Sequence, residues 1–445
     1  MLDNDSIMKY LAKVRGVKYA DIRTLGKNCI EVKLSNDYFQ VSENEDQIIG
    51  CRALDKGYGI ASTNKIGEKH IEDTVGQAID HATSISGNAS LVGVRPEHGS
   101  YEHPVRKKLN AADAQDFMMH VRDAMREKLG SLTNRIEIVL SYTEFGTGLV
   151  TTEGTDVKES FSTTDLTVNL TVKTQSGVLS TKKIIGGKGG METIERKDLE
   201  SIIDELTKTI RSSAGAKQFS PLESGKKFRI ILDSEAAGAL ARLIAYMLQA
   251  DEFKNQMFHA LDIPNELEII DNPSIPGAYG SFMWDDEGVK GRKKVLVNNG
   301  AVNLLHTRLT AKEGDAPGNA HGISQVPRPS MSNIYISTSD WHLDEMLEDT
   351  QHGIFMKGVN RAEVNTTSGI VELEPVIAYI VEQKEIKEAI KNVKLMDSVR
   401  NLMQKIDAIG KLISLIPNTE KGFRMSEGAP YIRIDGARCA YSVMQ

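Results

Sequence analysis

Between Tyr19 and Leu54 apolar and polar residues alternate almost without a break, in YADIRTLGKNCIEVKLSNDYFQVSENEDQIIGCRAL. A period of two turns one face of a strand inward and the other to water. This stretch is therefore expected to form half-buried antiparallel strands. Residues 134 to 184 repeat the pattern, rich in Thr, Val and Ser, with TEGTD and QSG as turns. They predict three or four more antiparallel strands, closed by IGGKGG at 185 to 190. Helical patterns stand around these blocks. A short helix covers 7 to 16, and TVGQAIDHATSIS sets Val75, Ala78, Ile79 and Ala82 on one stripe. ADAQDFMMHVRDAMREKLG points Phe117, Val121, Ala124 and Met125 inward and stops at Gly130. Strands and helices in blocks, without regular βαβ alternation, define an α+β chain.

At 445 residues the chain is too long for one ordinary core. After a helix over roughly 196 to 212, the polar hinge SAGAKQFSPLESGKK is the best boundary. It divides the chain into 1–217 and 218–445, with a candidate sub-boundary near 95–110, where Pro96 and Pro104 break the pattern. The second part opens with the buried strand KFRIIL and a helix starting at Ser234, with Ser234 as its N-cap. Further on, LDEMLEDTQHGIF reads as an amphipathic helix and VRNLMQKIDAIGKLIS as a last helix.

A net charge of -7 gives no long-range attraction to phosphate, so nucleic acid is not an expected partner. Three cysteines, Cys29, Cys51 and Cys439, with no CxxC pairing, support neither a disulfide framework nor a cysteine-rich zinc site. The polar N-terminus lacks the apolar core of a signal peptide. The most apolar segment, 236 to 250, is short of the ~20 residues of a membrane span and carries Arg242. A cytoplasmic location without membrane attachment is expected.

The helix after Ser234 keeps an acid, Glu235, where a hydrolase wants a general base, and polar groups recur at Arg242, Tyr246 and Gln249. Two histidines at metal-ligand spacing are missing, so the residues alone favour a core helix. The Asp285-Asp286-Glu287 run could hold a hard cation, although acids before a glycine more often form a solvated turn. His306, His321, His342 and His352 show no ligand spacing. IGGKGG has the glycines of a phosphate cradle but not its context, and a tight turn or close backbone approach accounts for it better.

The order of further signatures is more specific. YADIR, GCRAL with GYGIAST, AIDHA, IGGKGG, GSFMWDDEGVKGRKKVLVNNG, PRPSMSNIYI, GIFMKGV and AEVNTTSGIVEL follow one another along essentially the whole chain. In this order they resemble the successive blocks of the TldD/PmbA family, once called modulators of DNA gyrase. The resemblance implies a mixed α/β N-terminal half and a largely antiparallel β C-terminal half. It also implies two subunit types. The TldD-type is a zinc metallopeptidase with HExxxH on a helix and a later cysteine; the PmbA-type, or TldE, lacks these ligands and pairs with it. Together they cleave peptides or partly unfolded small proteins in a cavity between them.

Laid on this chain, the resemblance puts the first metal histidine at Ser234, the acid at Glu235, the second histidine at Ala239 and the cysteine near Arg424. No imidazole or thiolate stands at these places, and a guanidinium repels a dication. No metal cofactor is therefore expected. Arg242, Asp285, Asp286, Glu287 and Asn333 are candidate cavity-lining residues. The expected role is a metal-free, TldE-like subunit that pairs with an HExxxH-bearing paralogue, or with itself, and holds peptide. Two alternatives remain: a metallopeptidase whose site is rebuilt from Glu235 with His259 or His306, and a self-associating peptide-binding protein. A buried Glu235 needs a partner, and Arg424 or Arg242 is expected to supply it.

Overall fold

The computed structural model describes residues 4–174, 177–195, 197–259 and 261–442. The alternating stretches form one seven-stranded sheet. Its strands are β1 (Tyr19–Ser35), β2 (Tyr38–Leu54), β3 (Tyr58–Thr63), β4 (His98–Glu102), β5 (Thr133–Thr151), β6 (Asp156–Thr174) and β7 (Gly177–Lys188), in the order β3-β2-β1-β5-β6-β4, with β7 also on β6. All pairings but β4 with β6 are antiparallel. The stretch expected to hold three or four strands contains three, and residues 175–176 of the QSG turn lie outside the described residues. β1 and β2 have 17 residues each, about 55 Å at ~3.3 Å per residue, so one sheet reaches two separate helical layers. At one end α1 (Asn4–Leu11) and α2 (Glu68–Ser84) pack with Ile22, Ile49 and Cys51. At the other, α3 (Ala111–Leu129) and α5 (Leu199–Ala214), beyond the single-turn α4 (Glu192–Glu195), cover Ile138, Leu140 and Leu166. Gly130 caps α3 at φ 56, as its place after the last apolar residue predicts.

The second part is strand-rich. β8 (Lys217–Gln218) and β9 (Lys227–Leu232) belong to a ten-stranded sheet, and a six-stranded sheet lies across from it. Most pairings are antiparallel; β9 with 352–357, β8 with 385–391, and 333–336 with 423–429 are the parallel ones within these sheets. Between the sheets runs α6 (Ser234–Met247), apolar on almost every side because it is covered on almost every side. The closest approach is at Gly238, where an added Cβ would lie 3.0 Å from the Gly428 Cα. Only glycine lets helix and strand backbones meet there.

Three sequence expectations are corrected. LDEMLEDTQHGIF is a helix only over Leu343–Glu348, followed by the strand His352–Lys357. VRNLMQKIDAIGKLIS is a helix over Val399–Lys405 and then the strand Ile406–Ile409, which pairs with the strand Ile432–Tyr441. The N-cap of α6 is Asp233, not Ser234: its carboxylate accepts the Ala236 N–H at 2.9 Å.

The two parts meet over a buried ionic seam. Arg52 of β2 donates to Asp21 through Nε at 2.5 Å and to Glu287 through Nη1 at 2.6 Å, and all three side chains are 0% exposed. The hydroxyls of Tyr19 and Tyr58 complete the guanidinium's contacts at 3.0 and 2.7 Å. Glu287 and its neighbour Asp285 are thus not a solvated turn. Asp285 is 3% exposed and accepts the backbone N–H groups of Glu287, Val289 and Ala320, each at 2.9 Å. Burial and the nearby Glu287 push the Asp285 carboxyl up to about 7.

Candidate functional site

The start of α6 is where the family resemblance places a hydrolytic centre. Ser234 and Glu235 are half-buried, while Ala239 is 0% exposed in the core. Glu235 does have a partner, but neither expected arginine. Lys183 of β7 reaches across the seam to its Oε2 at 2.7 Å and also lies 3.3 Å from Glu205 of α5. Burial opposes the ammonium charge, yet Glu235 and Glu205 outweigh it and hold Lys183 above the usual lysine range. Arg242 is committed elsewhere, to Glu427 at 2.6 Å and Glu420 at 2.8 Å. Arg424 lies over the rings of Phe145 and Phe161, at 3.9 and 5.0 Å from their centroids.

The structure does not bring Arg424 to the Ser234 end of the helix. α6 runs antiparallel to the strand Phe423–Ala429: Gly238 touches Gly428, Arg242 reaches Glu427, and Tyr246 meets Lys421, whose Nζ is 4.3 Å from its ring. Ser234 therefore lies about 18 Å along the axis from the end nearest Arg424, at ~1.5 Å per residue over twelve residues. The residues at the α6 start do not fit a zinc ion. They offer a hydroxyl, a methyl in a packed core and a carboxylate already neutralised by lysine. Nor do the histidines proposed for a rebuilt site approach Glu235. His306 contacts Thr310 at 3.4 Å and Asp315 at 3.6 Å, and His259 is exposed at the end of a separate short helix, Asn255–Phe258. Among the described residues no three His, Cys, Asp or Glu side chains converge in a way that could hold a metal ion.

Arg424 instead lines a cavity of about 400 Å³ between the first sheet and the loops of the second part. Lys188, Glu159, Asp286 and His321 share its wall, with Phe161, Phe282 and Trp284. β6 and β7 deliver Glu159, Phe161 and Lys188; the turn at 279–286 and the loop at 321–325 close the opposite side. That loop packs hard on β2, where a Cβ on Gly50 would lie 1.9 Å from the Ile323 carbonyl oxygen. Glu159 is well satisfied. It accepts from the Met283 N–H at 3.0 Å, lies 2.6 Å from His103 Nε2 and is 3.4 Å from Lys188 Nζ. Against the effect of burial, His103 and Lys188 hold its carboxyl below the usual range. Burial pulls Lys188 down to about 8; Glu159 opposes this and the Arg424 charge adds to it.

Of the five candidate lining residues only Asp286 faces this cavity. Asn333 supports the wall from behind, accepting the Gly280 N–H at 3.0 Å and donating to Ser281 Oγ at 3.0 Å. Arg242, Asp285 and Glu287 serve the ion pairs and loop contacts described above. Lys188, Glu159 and His321 went unselected because their sequence positions are far apart. The usable signal was the lone lysine inside IGGKGG, whose glycines do make the close backbone approaches expected, Gly187 to Gly277 and Gly190 to Lys107. A charge test follows from this geometry. In Arg424→Gln the loss of a neighbouring positive charge should make Lys188 titrate above its parent value of about 8, followed by NMR of labelled lysine. An unchanged or lower value would show that the two cations do not share the cavity.

Comparison with known proteins agrees with this architecture. Residues 224–441 match the PmbA/TldA metallopeptidase C-terminal domain, so the two-sheet part enclosing α6 is a metallopeptidase-type domain. A metalloprotease of Methanocaldococcus jannaschii is 27% identical over 96% of this chain and 96% of its own. A zinc metalloprotease TldD homolog of Saccharolobus solfataricus is 23% identical, over 96% of this chain and 98% of its own. In fold, TldE from Thermococcus kodakarensis superposes with a TM-score of 0.76 at 15% identity, covering 98% of each chain. A Thermotoga maritima protein provisionally described as a modulator of a DNA gyrase gives 0.78 at 19% identity, covering 98% of this chain and 99% of that one. Residues 224–441 therefore carry a PmbA/TldD-family domain, and the metalloprotease relatives extend the likeness along nearly the whole chain.

Proposed function

We propose that this protein is a TldE-like, non-catalytic subunit that pairs with a metal-bearing TldD-like subunit and helps to hold its peptide or unfolded-protein substrate. One observation carries the reading: the acid at the head of α6 is locked to Lys183 at 2.7 Å, beside Ser234 and a core alanine, Ala239. A carboxylate oxygen taken up by a lysine ammonium is not free to orient a water molecule for attack. With no imidazole at 234 or 239, the helix offers no donor set for the zinc that metallopeptidase relatives use. Among the described residues no helix is long and apolar enough to cross a membrane.

Affinity purification of the full chain from its source cell should recover a paralogue with HExxxH, and elemental analysis should find zinc with that paralogue alone. Stoichiometric zinc in this chain by itself, or a chain that self-associates and recovers no paralogue, would overturn the assignment.

A further inference from the structure

The charges around the 400 Å³ cavity leave one group unanswered. Glu159 is occupied by His103, Lys188 and the Met283 N–H, and Asp286 accepts the Gly322 N–H at 2.7 Å. Lys421 at the edge pairs with Glu252 at 3.1 Å. The Arg424 guanidinium makes neither a hydrogen bond nor an ion pair with any described residue; it has only the ring faces of Phe145 and Phe161. Those faces attract a cation but accept none of the guanidinium's five N–H donors in the way an oxygen does. Burial depresses the Arg424 pKa, although Tyr279, Asp286 and Glu159 pull it the other way.

Arg424 is half-buried, so its guanidinium has given up part of its water without gaining an anion, and its planar fork matches a carboxylate. A second polar atom in the same wall is also unsatisfied. His321 Nε2 is shielded from solvent with no hydrogen-bond partner, and its ring lies between Phe282 at 5.2 Å and Phe423 at 5.4 Å. Phe161, Tyr279, Phe282, Trp284 and Phe423 add aromatic surface to a wall otherwise made of charged, aliphatic, glycine and polar residues. The volume is within the range of small-ligand clefts, about 300–1,000 Å³, and holds a residue or two rather than a folded segment.

We propose that this cavity binds the terminal carboxylate of an apolar residue, with the anion on the Arg424 guanidinium beside His321 and the side chain against Phe161, Phe282 and Trp284. The same chemistry is offered by a peptide C-terminus and by a free acylated amino acid. The site deepens the peptide-holding reading, but it stands on this chain alone and needs no partner subunit. Failure of pairing would therefore leave it intact, and its own failure would leave pairing intact.

Trp284 supplies the readout, since the chain has 2 tryptophans and the other, Trp341, packs in a separate cluster. In full-length Trp341→Phe protein, N-acetylphenylalanine and the tripeptide Ala-Ala-Phe are titrated against Trp284 fluorescence, with their C-terminal amides alongside. At least one acid should bind saturably and about 10-fold or more tighter than its amide. Arg424→Gln should erase that preference and Arg424→Lys should keep part of it. Binding of the tripeptide alone assigns the site to peptide C-termini; binding of both acids assigns it to the carboxylate on either carrier. Equal binding of acids and amides, no binding of either acid up to on the order of 10 mM, or binding of inorganic phosphate without either acid would overturn the proposal. If Arg424→Gln does not fold, the acid-to-amide ratio in the parent protein decides.

Discussion

Arg52→Met is expected to destabilise the protein by about 3 kcal/mol, because it removes the cation between two carboxylates, Asp21 and Glu287, that are 0% exposed, leaving Asp21 with Arg23 at 3.3 Å and the Tyr19 hydroxyl and Glu287 with the Arg308 N–H. The loss is read as a fall in the midpoint of urea unfolding. Much of it reflects the uncompensated acids rather than the net worth of the ion pairs, so adding Glu287→Gln to Arg52→Met should recover a part. A loss below about 1 kcal/mol is the size found for exposed pairs and would show that water reaches the seam.

The second large effect belongs to Gly238→Val. Helix propensity alone favours any residue but proline over an interior glycine by up to ~1 kcal/mol. The structure reverses that sign, since a Cβ there lies 3.0, 3.1 and 3.3 Å from the backbone Cα, N and C atoms of Gly428, and valine adds two methyls to a carbon already that crowded. Backbone cannot step aside as a side chain can. A loss of about 3 kcal/mol, at the upper end of overpacking costs, is expected from the unfolding midpoint. Any gain in stability would mean that α6 does not rest on that strand.

The contrast between these two positions shows what the amino-acid order reveals and what it conceals. Local periodicity was enough for β1 and β2, for α3 up to Gly130, and for the step from β9 into α6, since each pattern is set by neighbours within a few residues. It misled where a short helix hands over to a strand. Leu402, Met403, Ile406 and Ile409 suit a helical stripe, but Ile406 and Ile409 are claimed by Ile434 and Ile432 of the last strand. The family blocks point to the protein class, and the serine at 234 and alanine at 239 are read directly from the sequence. The partner of Glu235 was not, because Lys183 is 52 residues earlier and on another sheet. The cavity was hidden for the same reason: Glu159, Lys188, His321 and Arg424 meet only once the two parts close on each other.

Lys183's hold on Glu235 also has a consequence for descent. To acquire hydrolytic chemistry at this helix, the chain would need imidazoles at 234 and 239, room for one of them in a filled interior, and release of the acid from its lysine. None of these changes by itself completes a metal donor set. Stepwise change therefore builds no zinc site at this helix until both imidazoles and a freed acid are present together.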